Sequence, residues 1–140
     1  MILLNINPII PAHMVPVFMI LMGIGMIAIW TIDISRGKFG NQGGFFRWTE
    51  GENRLWPHIL AEYSTGILLI IAAVFLLNEN LKGFPLAFIS LGAMIYSSIN
   101  STGWVILKKE RLVYGIPMWT GLACGAVALV CLFAGWFSYF

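Results

Sequence analysis

PHILAEYSTGILLIIAAVFLL, residues 57–77, decides the fold. A membrane-spanning helix needs about 20 mostly apolar residues, and this run supplies them. It opens on Pro57, tolerable in a first helical turn because the missing N–H has no partner there anyway. Three further windows have the same character, 15–34, 85–107 and 116–137, with Pro85 and Pro117 expected to mark two more helix starts. With 59% hydrophobic and only 10% charged residues, and a mean hydropathy of +0.87, the chain is too apolar for a soluble domain of its length. The sequence therefore predicts an all-α membrane protein: a four-transmembrane-helix bundle of two αα-hairpins. Residues 1–140 are read as one integral membrane domain. The N-terminal MILLNINPIIPAH lacks the basic region of a cleaved signal, so the first apolar run is read as helix one.

Orientation follows from the basic residues. The first connection carries Arg36, Lys38, Arg47 and Arg54, the third Lys108, Lys109 and Arg111, and the second only Lys82. Seven of the eight basic residues thus fall on one side. That side is expected to be cytoplasmic and both termini non-cytoplasmic, in a multi-pass protein of the plasma membrane. The net charge of +2 is explained by topology, so no nucleic-acid partner is expected. The bilayer is the first partner, with a homo-oligomer or another membrane protein as the second.

The opening run also holds His58 and Glu62. Ionisable residues within a span are rare and usually mark function. Glu62 lies six residues in from the cytoplasmic edge of its helix, about 9 Å deep. Asn100 of helix three comes to matching depth, roughly 10 Å, within YSSINSTGW (96–104), the most polar stretch of any span. Helix one adds Asp33, read as solvated at the helix end, and helix four adds Tyr114, Trp119 and Thr120. On helix two, His58, Glu62 and Thr65 share a face; Tyr96, Asn100 and Gly103 form the expected matching face of helix three. The predicted ligand- or proton-binding set is His58, Glu62, Asn100, Tyr96, Ser97, Thr65 and Trp119, lining a polar pocket open to the cytoplasm. Burial opposes charge on Glu62 while a protonated His58 favours it, so proton or cation binding is chemically available. The alternative is a carboxyl acting as interhelical glue.

Other features carry less. His13 with Met14, Met19, Met22 and Met26 has the softness for Cu(I), but methionine is also an ordinary packing residue, and no metal set is assigned. Cys124 and Cys131 lie seven residues apart on one helix, about 10 Å along the axis, too far to bridge. Gly121 and Gly125 in GxxxG spacing, with Ala128, mark a close-packing face within or between chains. The first connection, SRGKFGNQGGFFRWTEGEN (35–53), mixes glycines with aromatic and basic residues and reads as an interfacial anchor or a lid over His58.

In length, helix count and topology the chain is similar to the membrane-associated glutathione transferase and leukotriene synthase family. That family's trimers hold a cofactor near the cytoplasmic helix ends, and its second helix carries an Arg, His, Asn and Glu signature. Here RLWPHILAE offers Arg54, His58 and Glu62. The His-to-Glu spacing is four rather than five, no Asn lies between them, and helix three lacks the expected Arg. No glutathione site is carried over, and the cofactor stays unknown.

Two function classes follow. One is binding or transport of a small polar or cationic species or a proton. The other is an enzyme acting on a lipophilic substrate, with His58 or Glu62 as general acid or base. An accessory subunit of a membrane complex is a third reading.

Overall fold

A computed structural model describes residues 13–36, 56–106 and 112–137. Four helices occupy them: α1 (Met14–Ser35), α2 (Trp56–Leu77), α3 (Gly83–Ile106) and α4 (Leu112–Phe137). Each is long and apolar enough to cross a membrane. In hydrocarbon, backbone N–H and C=O groups find no water, so a helix that satisfies them internally is the form such segments take. The chain is a multi-pass membrane protein. Arg54, most of the first connection and all of the third, with the anchor or lid expected there, lie outside the described residues.

One helix start differs from expectation. Pro117 is not in a first turn, because α4 begins at Leu112 and the proline lies inside the helix. Its ring removes one i→i−4 hydrogen bond, and the interruption falls beside the site described below.

The turn from α2 to α3 is built by the backbone. Asn80 N–H reaches Phe75 C=O at 2.9 Å and Glu79 N–H reaches Leu76 C=O at 3.0 Å. This pair of bonds closes a helix end when the intervening residue is left-handed; Glu79, with φ 54°, takes that conformation. Asn80 Oδ1 then accepts from Lys82 N–H at 3.0 Å. A Cβ on Gly83 would stand 2.8 Å from the Leu76 backbone nitrogen, so the glycine lets the two helices meet closely.

The helices pack in chain order, α1 on α2, α2 on α3 and α3 on α4, while α1 and α4 touch only sparsely. Small residues govern the tight seams. A Cβ on Gly23 would sit 2.6 Å from the Gly66 carbonyl oxygen, and one on Gly66 would sit 2.9 Å from the Gly23 carbonyl oxygen. Helices α1 and α2 therefore cross backbone to backbone, the contact that substitutes for a hydrophobic driving force in lipid. Ala72, Ala73 and Ala87 are fully buried, with Leu69 and Leu91 between them. Gly121 and Gly125 face inward within this chain: a Cβ there would meet Met22 Cε at 2.7 Å and Met94 Cε at 2.4 Å respectively. Ala128 joins the same buried cluster. At the far end from the polar residues, Phe84 packs on Trp136 and Phe88 on Phe133, with ring centroids 5.5 and 6.2 Å apart.

Candidate functional site

Four polar side chains converge on Glu62. Its Oε1 accepts from Ser97 Oγ at 2.6 Å and from Ser101 Oγ at 3.2 Å, and His58 Nε2 lies 3.1 Å from the same oxygen. Its Oε2 accepts from the indole Nε1–H of Trp30. Ser101 Oγ and His58 Nε2 are also 2.8 Å apart, with the direction set by the imidazole tautomer. The Trp30 ring stands edge-on to His58, centroids 5.9 Å apart. One carboxylate thus ties α1, α2 and α3 together near one end of the bundle.

Helix geometry puts these groups in reach. His58 and Glu62 are one turn apart on α2, and Ser97 and Ser101 one turn apart on α3. Burying a carboxylate unpaired is costly; Glu62 is only 7% exposed, and its two oxygens meet these donors. The neighbouring hydroxyls turn to their own helices: Thr65 to Ala61 C=O at 2.8 Å and Thr102 to Ser98 C=O at 2.8 Å. A second link between α1 and α2 joins Thr31 and Tyr63 hydroxyl to hydroxyl at 2.7 Å.

Beside the cluster is a cavity of about 100 Å³ bordered by all four helices, with Glu62 and Ser98 as its polar wall residues. The rest of the wall is mainly apolar: Met22 and Met26 of α1, Met94 of α3, Pro117 and Met118 of α4. The cavity is thus apolar with polar residues on one side. Its position follows from the loose contact between α1 and α4.

The expected site residues separate into two groups. His58, Glu62 and Ser97 come together. Thr65 is buried but engaged with its own backbone. Tyr96 is 72% exposed, and Asn100 is exposed as well; both point away from Glu62. The cause is register: the face of α3 turned to α2 carries Ser97 and Ser101, and a shift of one residue rotates a side chain by about 100°. Trp119 is 43% exposed and donates to Thr102 Oγ1 at 3.3 Å, outside the Glu62 cluster. Asp33, expected at a solvated helix end, is buried. Cys124 and Cys131 are free thiols. The side chain of Tyr114 is not among those described.

Two members escaped the sequence reading. Ser101 was visible in the polar run, but its role depends on the α3 register. Trp30 had one signal, an indole in an otherwise apolar span, since a buried Trp N–H usually finds an acceptor.

These features define a small four-helix membrane protein with a buried, fully hydrogen-bonded carboxylate in the wall of an interhelical cavity. The chain belongs to the family described as a domain of unknown function (DUF8058), whose model matches residues 11–136. No curated protein and no solved structure matches it.

Proposed function

We propose that this protein binds a small ligand within the membrane, with the Glu62 cluster as its polar recognition element. The observation that carries the reading is that Glu62 belongs both to the hydrogen-bonded cluster and to the cavity wall. A carboxylate held by donors from three helices is preorganised, so binding costs little reordering. The chain His58–Ser101–Glu62 is hydrogen-bonded throughout, which also suits proton binding. The methionine-rich walls suit a hydrated cation poorly, so simple cation transport is the weaker form of the reading. The basic residues of the first and third connections support a cytoplasmic location for this end of the bundle and a plasma-membrane protein with both termini outside.

The test is infrared difference spectroscopy of the Glu62 carboxyl in reconstituted protein, assigned with Glu62→Gln. A band that responds to pH and changes in His58→Ala supports the site. A band silent across the accessible range, with Glu62→Gln as stable as wild type, reduces Glu62 to interhelical glue.

The outward face of α3 supports a homo-oligomer. Tyr96 and Asn100 lie within the span yet are exposed, and a Cβ on Gly103, three residues on, would meet nothing within 4 Å. A carboxamide both donates and accepts, so Asn100 can pair with Asn100 of a second copy, and the glycine permits close approach.

A further inference from the structure

The α1–α4 seam differs from the other three in being open, and two cavities lie along it. The first is the cavity beside Glu62. The second, about 330 Å³, is lined by Val15 and Phe18 of α1 and by Cys124, Val127 and Cys131 of α4, among others, all apolar or thiol-bearing. Met22 stands between them, its Cε over Gly121. Methionine is unbranched and adaptable, so this divider can yield to an occupant without moving backbone.

Within the first cavity one polar group is not engaged. Ser98 is 7% exposed and lines the space. Unlike Ser97 and Ser101, whose hydroxyls contact Glu62, its hydroxyl makes no hydrogen bond among the described residues. No buried side-chain polar atom among the described residues lacks a partner, so this oxygen opens into the cavity, where its hydrogen bond is free to be made. A ligand that fills the cavity can take that bond.

We infer that the seam is a binding site for a single-chain amphiphile with a neutral hydroxyl head, the head contacting Ser98 and Glu62 and the chain lying between α1 and α4. This rests on the reading of Glu62 as a binding group and names its ligand class. The head chemistry follows from the wall. Ser98 both donates and accepts, whereas an ionised Glu62 only accepts; a hydroxyl answers both. An anionic head would meet the carboxylate, and the carboxylate already accepts from Trp30, Ser97 and Ser101 with His58 beside it, so a cationic head is not required. The dimensions agree, because about 100 Å³ holds a head and a few methylenes, and the rest of a chain must leave through the open seam. Head and tail also match depth: Glu62 lies about 9 Å from one edge of α2, and the seam runs from there toward the bilayer centre.

The experiment uses the full chain in lipid nanodiscs and a diazirine analogue of dodecanol, with cross-links mapped by peptide mass spectrometry. Labelling is expected on α1 and α4 around Met22 and Met118, suppressed by dodecanol and not by dodecane. Ser98→Ala should raise the dodecanol needed for half-suppression about fivefold, the worth of one hydrogen bond. Gly25→Leu should abolish the label while the protein stays folded, because Gly25 lines the cavity and a Cβ there meets nothing within 4 Å. Labelling that survives Gly25→Leu, or that dodecane suppresses as well as dodecanol does, overturns the inference. Either result leaves the infrared response of Glu62 to stand alone. Conversely, labelling that follows these expectations but is unchanged in Glu62→Gln removes Glu62 from the site and keeps the seam and Ser98.

Discussion

Trp30 and Glu62 face each other across the α1–α2 seam, the indole N–H donating to the carboxylate oxygen Oε2 while the other oxygen serves α3. Among the described residues, this bond joins α1 to the Glu62 cluster. In Trp30→Phe the donor is lost and an apolar ring remains. A double-mutant cycle with Glu62→Gln should give a coupling of about 0.6 to 1.7 kcal/mol, the range of interhelical hydrogen bonds in membranes. It is measured by unfolding in mixed micelles, and additive single effects would mean that the indole contributes packing alone.

The register of α3 makes opposite predictions for adjacent residues. Ser97→Ala and Ser101→Ala each remove a donor to Glu62 and should cost about 1 kcal/mol. Asn100→Leu should leave unfolding of the single chain within about 0.5 kcal/mol of wild type, as for an outward-facing position. In the same preparation it should shift the species seen by native mass spectrometry toward monomer. An Asn100→Leu chain as destabilised as Ser97→Ala would mean that Asn100 packs inside the bundle.

Two glycines on α1, two residues apart, should behave oppositely. A Cβ on Gly23 meets the Gly66 backbone oxygen at 2.6 Å, whereas one on Gly25 meets nothing within 4 Å. Gly23→Ala must push α1 from α2 and is expected to lose about 1 to 3 kcal/mol. Gly25→Ala should be neutral or gain up to about 1 kcal/mol from helix propensity. Thermal unfolding of the two variants side by side decides the matter, and equal midpoints would count against the close crossing.

Glu79 occupies a left-handed position at which glycine is the usual residue. Glu79→Gly should keep the α2–α3 turn with unchanged or higher stability. Glu79→Val, β-branched and poorly suited to that conformation, should lose roughly 1 to 2 kcal/mol. If valine were tolerated as well as glycine, the turn would not hold this backbone geometry in the membrane.

How much of this was readable in advance depends on which physical quantity each feature obeys. Span number and approximate limits are local properties: 57–77 became Trp56–Leu77, and 15–34 became Met14–Ser35. Pro117 misled because a proline inside a helix and one at its start look alike until the upstream residues are seen to be helical. His58 and Glu62 were legible because an ionisable side chain in a span is costly wherever it points. Their partners were not. Choosing Ser97 and Ser101 over Tyr96 and Asn100 requires the rotation of α3 about its axis, and a span this rich in polar residues offers more than one face.

The sequence by itself determined that this chain has four segments long and apolar enough to cross a membrane, with a carboxylate and an imidazole one turn apart near one end, because length, hydropathy and helical repeat need no knowledge of neighbours. Only the tertiary structure decided that Trp30 reaches Glu62, that Asn100 turns outward, and that a cavity opens where α1 and α4 fail to close. Those outcomes depend on helix rotation and on the Gly23–Gly66 crossing, and both are set by packing between segments some forty residues apart.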